Sequence, residues 1–243
     1  MKKSIVLATA VASVLASGVA SAELSGNAAI TSNYIWRGIT QTQDEAAGQG
    51  GIDWGHSSGL YAGTWVSNVA FGGDNSANGY EMDVYAGFGG EVGGFGYDLG
   101  VISYQYPIDP ATNFTEVYAS GTMSIVTIGL AYTVDAASFN DAENNDQATG
   151  LFETGDMYLS GSLDFSAGKT DVSIFAGSYM FDQDGKDYSA TGGADVGAID
   201  YVHYGASIGK DGFTFAVEKN DIDDDSTAGN VRFVASYGID FEL

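Results

Sequence analysis

From Val231 to Leu243 the chain alternates strictly. Val231, Phe233, Ala235, Tyr237, Ile239, Phe241 and Leu243 are apolar, and between them lie Arg232, Val234, Ser236, Gly238, Asp240 and Glu242. A period of two puts successive side chains on opposite faces of a strand, so one face here is greasy and the other mostly small or polar. Left at the edge of a sheet, such a strand invites mispairing. A membrane barrel removes that edge by pairing the last strand with the first.

The same alternation recurs along the chain and predicts twelve strands. The first runs from Leu24 to Trp36, with Leu24, Ala28, Ile30, Tyr34 and Trp36 on one face and Asn27, Thr31, Asn33 and Arg37 on the other. The second, near Gln49 to His56, sends Ile52 and Trp54 outward and Asp53 inward. The third, Leu60 to Val69, is ambiguous, because Tyr61 and Trp65 compete with Leu60 and Val66. Outward sets then follow clearly: Tyr80 to Phe88, Phe95 to Val101, Val117 and Ala119, Val126 to Val134, Met157 to Phe165, Val172 to Ala176, Val202 to Ile208, and Phe213 to Val217. Short turns such as Ser57-Ser58-Gly59 and Lys210-Asp211-Gly212 alternate with long polar loops. An even strand number and a long–short rhythm fit an all-β, transmembrane, antiparallel up-and-down barrel with long extracellular loops and short periplasmic turns. A secreted β-sandwich would also alternate. Its outer face would carry more lysine than is found here.

Composition sharpens the picture at the N-terminus. Lys2, Lys3, an apolar run from Ser4 to Ala16 and the small residues Ala20-Ser21-Ala22 read as a cleaved signal peptide over residues 1–22, leaving residues 23–243 as the barrel. The alternative is an N-terminal anchor helix, for which the run is short. Removing the two lysines takes the formal charge from −24 to −26. Such a surface is expected to repel nucleic acid and anionic head groups and to attract cations. There is no cysteine, so strand pairing and burial hold the fold. The 35 glycines against 2 prolines suit closely packed strands.

Two stretches carry a resemblance. Ser32 to Gln41, SNYIWRGITQ, resembles the start of the TorF-type porin family, and QGGIDWGHSSGLYAGTWVSNV, from Gln49 to Val69, is similar to that family's next hairpin. The resemblance implies an outer-membrane barrel with a pore, of undefined substrate and without catalytic residues.

On the facing above, ten acids point inward: Asp53, Glu81, Asp83, Asp98, Glu116, Asp156, Asp164, Asp171, Glu218 and Asp240. Arg37 and Arg232 are the clearest inward cations. The expected pore lining is Arg37, Asp53, Asp83, Asp98, Glu116, Asp156, Asp164, Glu218 and Arg232. The two arginines are expected to line the pore mouth opposite an acidic wall; the alternative, compatible with it, is that each pairs with a nearby carboxylate and braces the seam. The acidic loops hold Asp182, Asp184 and Asp187, whose spacing does not fit the EF-hand, and Asp221, Asp223, Asp224 and Asp225; both read as solvated rather than as calcium sites. The histidines, His56 at a turn and His203 in the lumen, accompany no nucleophile elbow and no HExxH zinc motif. The sequence therefore predicts no enzyme, cofactor or metal. It predicts an outer-membrane channel for passive diffusion of small hydrophilic solutes or ions, narrow and cation-favouring. The alternative is a closed barrel with a structural or surface-interaction role through its acidic loops. Expected partners are outer-membrane lipid, lipopolysaccharide and the barrel-assembly machinery. Tyr34, Trp36, Trp54 and Trp65 are candidates for interfacial aromatic girdles.

Overall fold

The computed structural model describes residues 22–70, 78–137, 152–182, 200–222 and 229–243. The signal-peptide reading, and the loop acids Asp184, Asp187, Asp223, Asp224 and Asp225, fall outside these residues. Fourteen strands are formed among them. In chain order they are β1 (Glu23–Thr31), β2 (Ile35–Trp36), β3 (Ile39–Thr40), β4 (Ala47–Gly55), β5 (Leu60–Ala70), β6 (Asn78–Val92) and β7 (Phe95–Gln105). They continue as β8 (Phe114–Met123), β9 (Val126–Ala136), β10 (Met157–Ala167), β11 (Thr170–Met180), β12 (Tyr201–Lys210), β13 (Phe213–Asn220) and β14 (Arg232–Glu242). Twelve of them make one closed antiparallel barrel, in which each strand pairs with its sequence neighbours and β1 pairs with both β4 and β14. The short strands β2 and β3 pair with each other as a separate hairpin.

The terminal strand closes the wall as its alternation requires. Asn27 lies opposite Asp240 and Ile30 opposite Tyr237 in the β1–β14 ladder. Phe233, Ile239, Phe241 and Leu243 are 45–65% exposed on the outside. The outward residues of the other strands are likewise exposed and apolar, Leu99, Ile128, Leu130, Ile174, Ile208 and Phe215 among them. A belt of this extent does not face water in a soluble protein. It is the lipid-facing surface of a transmembrane barrel, whose backbone groups are all satisfied around the ring.

The short turns, the start of β1 and the end of β14 lie at one end of the barrel, and the strand ends that lead into the long connections lie at the other. Two-residue turns need backbone with positive φ. Gly93 and Gly94 supply it between β6 and β7, and Asp211 (φ 52°) with Gly212 (φ 86°) between β12 and β13. Both match the twist of paired strands.

The ambiguous third strand resolves with Leu60 out and Tyr61, Trp65 and Val69 in. The first strand is shorter than its alternation predicts. β1 stops at Thr31 and not at Trp36, so Tyr34 and Trp36 do not face lipid. Tyr34 is 4% exposed and packs edge-on against Trp65, with ring centroids 5.4 Å apart. Of the four proposed girdle residues only Trp54 stands on the outer wall, stacked on His56 beside the short turn. The alternation continues past Thr31 because Ile35–Trp36 is itself strand. Periodicity reports a strand's two faces and not the sheet it joins.

The fold makes one mechanical prediction. Leu130 lies mid-strand on the lipid face of β9, and Ser160 faces the lumen on β10. Leu130→Arg is expected to lower the stability of the refolded barrel by ~2–4 kcal/mol, the range for a cation at the bilayer midplane. Ser160→Arg should cost much less, and urea titrations in lipid vesicles measure both.

Candidate functional site

Residues 32–46 leave the wall at the long-loop end and fold into the barrel. Ser32 makes a last ladder bond, its N–H donating to the Ala235 carbonyl at 2.9 Å. The chain then turns inward as the β2–β3 hairpin. Its tip is the pair Arg37 (φ 49°) and Gly38 (φ 82°), both in the left-handed region that a two-residue hairpin turn demands. Gly38 cannot be replaced cheaply. A Cβ there would also lie 2.5 Å from the Cβ of His203 on β12.

The hairpin is tied to several sides of the wall. Tyr34 Oη donates to Glu81 Oε1 on β6 at 2.9 Å. Asn220 Nδ2 on β13 donates to the Gly38 carbonyl at 2.9 Å. Ile35 is buried against Ala216 and Val234 on β13 and β14. Behind the hairpin, Asp44 accepts from Asn33 Nδ2 and from Arg232 Nε, each at 2.7 Å. The Arg232–Asp44 pair therefore joins the closing strand to the inserted segment.

At the tip, Arg37 reaches across to β8. Its Nη1 and Nη2 donate to Glu116 Oε1 and Oε2 at 2.8 and 2.6 Å, a two-point match between planar groups. Arg37 is 7% exposed and Glu116 1%. Its Cζ lies 4.2 Å from the ring centroids of Trp36 and Tyr158 and 5.2 Å from that of Tyr179. Burial opposes the guanidinium charge, but Glu116 beside it wins and holds Arg37 firmly protonated. Trp36 in turn meets Tyr104, Phe114 and Phe152 edge-on, at 5.5–6.0 Å between centroids. Tip, ion pair and aromatic ring together form a packed layer across the interior.

Below this layer, towards the short turns, the interior is hydrophilic. Tyr61 Oη donates to Asp98 Oδ1 at 2.6 Å and bonds the Tyr118 hydroxyl. The Tyr85 hydroxyl bonds Asp53, which also accepts from Asn27 Nδ2 at 3.2 Å. Asp164 accepts from Ser162 and Ser173 hydroxyls at 2.5 and 2.6 Å. The tyrosines lie across glycines on adjacent strands. A Cβ on Gly87 would come 2.2 Å from Tyr61 Oη, and one on Gly100 would come 2.3 Å from Tyr118 Oη. Inward glycine is thus the space that an inward tyrosine occupies.

All nine expected lining residues lie on the inner side. They divide into two groups. Asp53, Asp98 and Asp164 belong to the hydrophilic zone. Arg37, Asp83, Glu116, Asp156, Glu218 and Arg232 belong to the layer around the hairpin. Asp83 stands beside Glu81 on β6, nearly fully buried, with Oδ1 unpartnered. Glu218 lies opposite Arg232 across the β13–β14 ladder. Asp156 joins two long loops, accepting from the Glu153 N–H and the Asp182 N–H, both at 2.9 Å. Burial pushes its carboxyl up to about 6. Each arginine closes on a carboxylate: Arg232 on Asp44 of the inserted segment, and Arg37 on Glu116 of β8, away from the β1–β14 seam. Arg37 comes from an inserted tip and not from the end of a wall strand. His203 Nε2 meets Tyr158 Oη at 2.7 Å, as expected of a lumen histidine. Among the described residues no group of three or more His, Asp or Glu is placed to hold a metal. The hairpin was missed in the sequence. Its one signal is Arg37-Gly38 between Ile35-Trp36 and Ile39-Thr40, weaker than Asn-Gly or Asp-Gly.

A family model described as a bacterial protein of unknown function (Gcw_chp) matches residues 15–240. The chain belongs to the Gcw_chp family. No curated protein matches this Gcw_chp chain in sequence. Among solved structures it is similar to one described as "Unveiling the Mechanism Behind the in-meso Crystallization of Membrane Proteins". There the TM-score is 0.53 at 8% identity, over 90% of this chain and 84% of that one. That likeness concerns the fold alone. Weaker similarities include Pseudomonas aeruginosa OccD3 (OpdP), with TM-score 0.43, 12% identity, and 94% and 67% of the two chains covered. For the outer membrane protein opdK of Pseudomonas aeruginosa the values are 0.38, 12%, 81% and 58%, so the Gcw_chp chain spans less than two thirds of that protein.

Removing one partner of a buried ion pair strands the other. Arg37→Ala is expected to cost ~3–5 kcal/mol in a urea titration, and Arg37→Met combined with Glu116→Leu to recover most of it. A second expectation concerns pH. The folded carboxyl of Asp156 sits near 6 against 3.8 as the ordinary value. A raised acid contributes stability at low pH and loses it as pH rises through its folded value. The stability-against-pH slope between about 4 and 6 should be shallower in Asp156→Asn than in the unaltered protein.

Proposed function

We propose that this Gcw_chp protein is an outer-membrane channel for passive diffusion of small hydrophilic solutes or ions, narrow and cation-favouring. The reading rests on one observation above all. A lipid-facing wall encloses an interior lined by carboxylates and hydroxyls, crossed by a hairpin whose tip is held by a single ion pair. A twelve-stranded wall lies between the roughly eight-stranded barrels that side chains fill and the roughly 16–18-stranded ones that leave a broad channel. The inserted segment narrows it further, and the constriction is the Arg37–Glu116 layer. Ten inward acids against two arginines set the sign of the field along the path.

The remaining expectations belong to the same reading. Residues 1–22 direct export, residues 23–243 form the barrel, and the barrel-assembly machinery recognises the terminal strand. The long-loop end faces outward, towards lipopolysaccharide. The resemblance of residues 32–41 and 49–69 to TorF-type porins supports a pore, and residues 32–41 are the inserted hairpin itself. No residue is given a catalytic role. A second reading is favoured by the aromatic packing around Trp36: a barrel shut at this layer, with a structural or surface-interaction role.

Single-channel current of the refolded mature protein in a planar bilayer under a salt gradient decides between them. The channel reading expects small discrete steps with a cation-selective reversal potential, larger conductance in Arg37→Ala, and altered selectivity in Arg232→Ala. A folded, heat-modifiable barrel without steps in any of these forms would establish the shut barrel.

A further inference from the structure

The outer wall is not evenly convex. A groove of about 760 Å³ opens on its lipid side across β9 to β13, walled by Ile128, Leu163, Ile174, Tyr204, Ala206 and Val217. It forms where the belt carries small residues: Gly161 on β10 adds no side chain, and Ala176 and Ala206 stand beside the larger outward residues Ile174, Tyr204 and Ile208. One end of the groove is bounded by Lys219. This lysine points outward on β13, next to Asn220 where the strand meets the long-loop end, and it is exposed. No carboxylate among the described residues forms an ion pair with it.

The position of that charge is unusual for this chain. Only 8 of its 243 residues are Lys or Arg. Among the described ones, Lys169 and Lys210 lie by the short turns, and Arg37 and Arg232 are buried inside. Lys219 is thus the outward cation at the long-loop end of the described wall, and it caps an apolar trough. An apolar trough of this kind suits acyl chains, and an ammonium at headgroup depth attracts phosphate. We infer that this groove binds a phosphorylated glycolipid of the outer leaflet, with acyl chains in the trough and a phosphate on Lys219. Outer-leaflet lipid is the occupant because the charge lies at the end opposite the termini and short turns. The inference rests on the outward orientation of that end and is independent of whether the lumen conducts.

The test uses the purified full-length protein in phosphatidylcholine nanodiscs containing either lipid A or phosphatidylglycerol, with native mass spectrometry counting the lipid retained. Lipid A should remain bound in preference to phosphatidylglycerol. Lys219→Gln should lower its retention about fivefold, the effect of one lysine near a charged interface. Ala206→Trp, which fills the trough from the lipid side, should lower it too. Val101→Trp, on the outer face of β7 across the barrel, should leave it unchanged. All four proteins are first shown to be folded by heat modifiability. Equal retention of phosphatidylglycerol, indifference to Lys219→Gln, or a lipid-free dimer of this chain would each overturn the proposal.

Discussion

Everything in this molecule depends on the pairing of β14 with β1. In hydrocarbon an unpaired N–H or C=O has no water to turn to, so a sheet is stable there only without edges. Closing the ring meets that demand and fixes the rest. It sets the outward row of Phe233, Ile239 and Phe241 against lipid, and it makes the opposite face of every strand an interior. Because side chains alternate, a one-residue slip in any ladder would exchange the two surfaces.

An interior created this way has to be occupied by something. The short-turn side uses tyrosines lying over glycines, with their hydroxyls on Asp53 and Asp98. The long-loop side uses a piece of the chain itself. A hairpin with unpaired polar ends would not stay in such a place, and this one is tied to several sides of the wall. Tyr34 bonds Glu81, the Gly38 carbonyl receives Asn220, and the charge of Arg37 is met by Glu116 in two-point geometry. Three aromatic faces around the guanidinium add cation–π attraction, each worth roughly 0.5–2 kcal/mol in general. A buried ion pair is weak evidence for net stability, because both charges lose water. Its consequence is specificity: any displacement of the tip exposes an unpaired charge to a greasy layer. The outer groove ending at Lys219 follows from the same economy of side chains, since small residues leave hollows on whichever face they occupy.

Much of this was legible in the residues. Outward and inward positions of β4 and β6 to β14 follow from alternation, and Asp211-Gly212 announced its turn. Inward facing for Asp53, Glu116, Asp164 and His203 came from the same parity, and carboxylates at odds with lipid could face nowhere else. The hairpin was not legible. Tyr34, Ile35 and Trp36 alternate as smoothly as the residues before them, and nothing local says that Ser32 is the last residue on the wall.

The sequence by itself determined that there is a closed sheet, how many strands enclose it, and, for all but the third, which face of each meets lipid. These are properties of period and parity, and a chain carries them locally. Only the tertiary structure decided where Arg37 goes and what it touches. Its partner lies 79 positions along the chain, on the far wall. Its aromatic neighbours come from β10 and β11, and the carbonyl beside it is held from β13. Such a site exists only once the ring has closed, because closure alone brings walls from distant parts of the sequence within reach of one side chain.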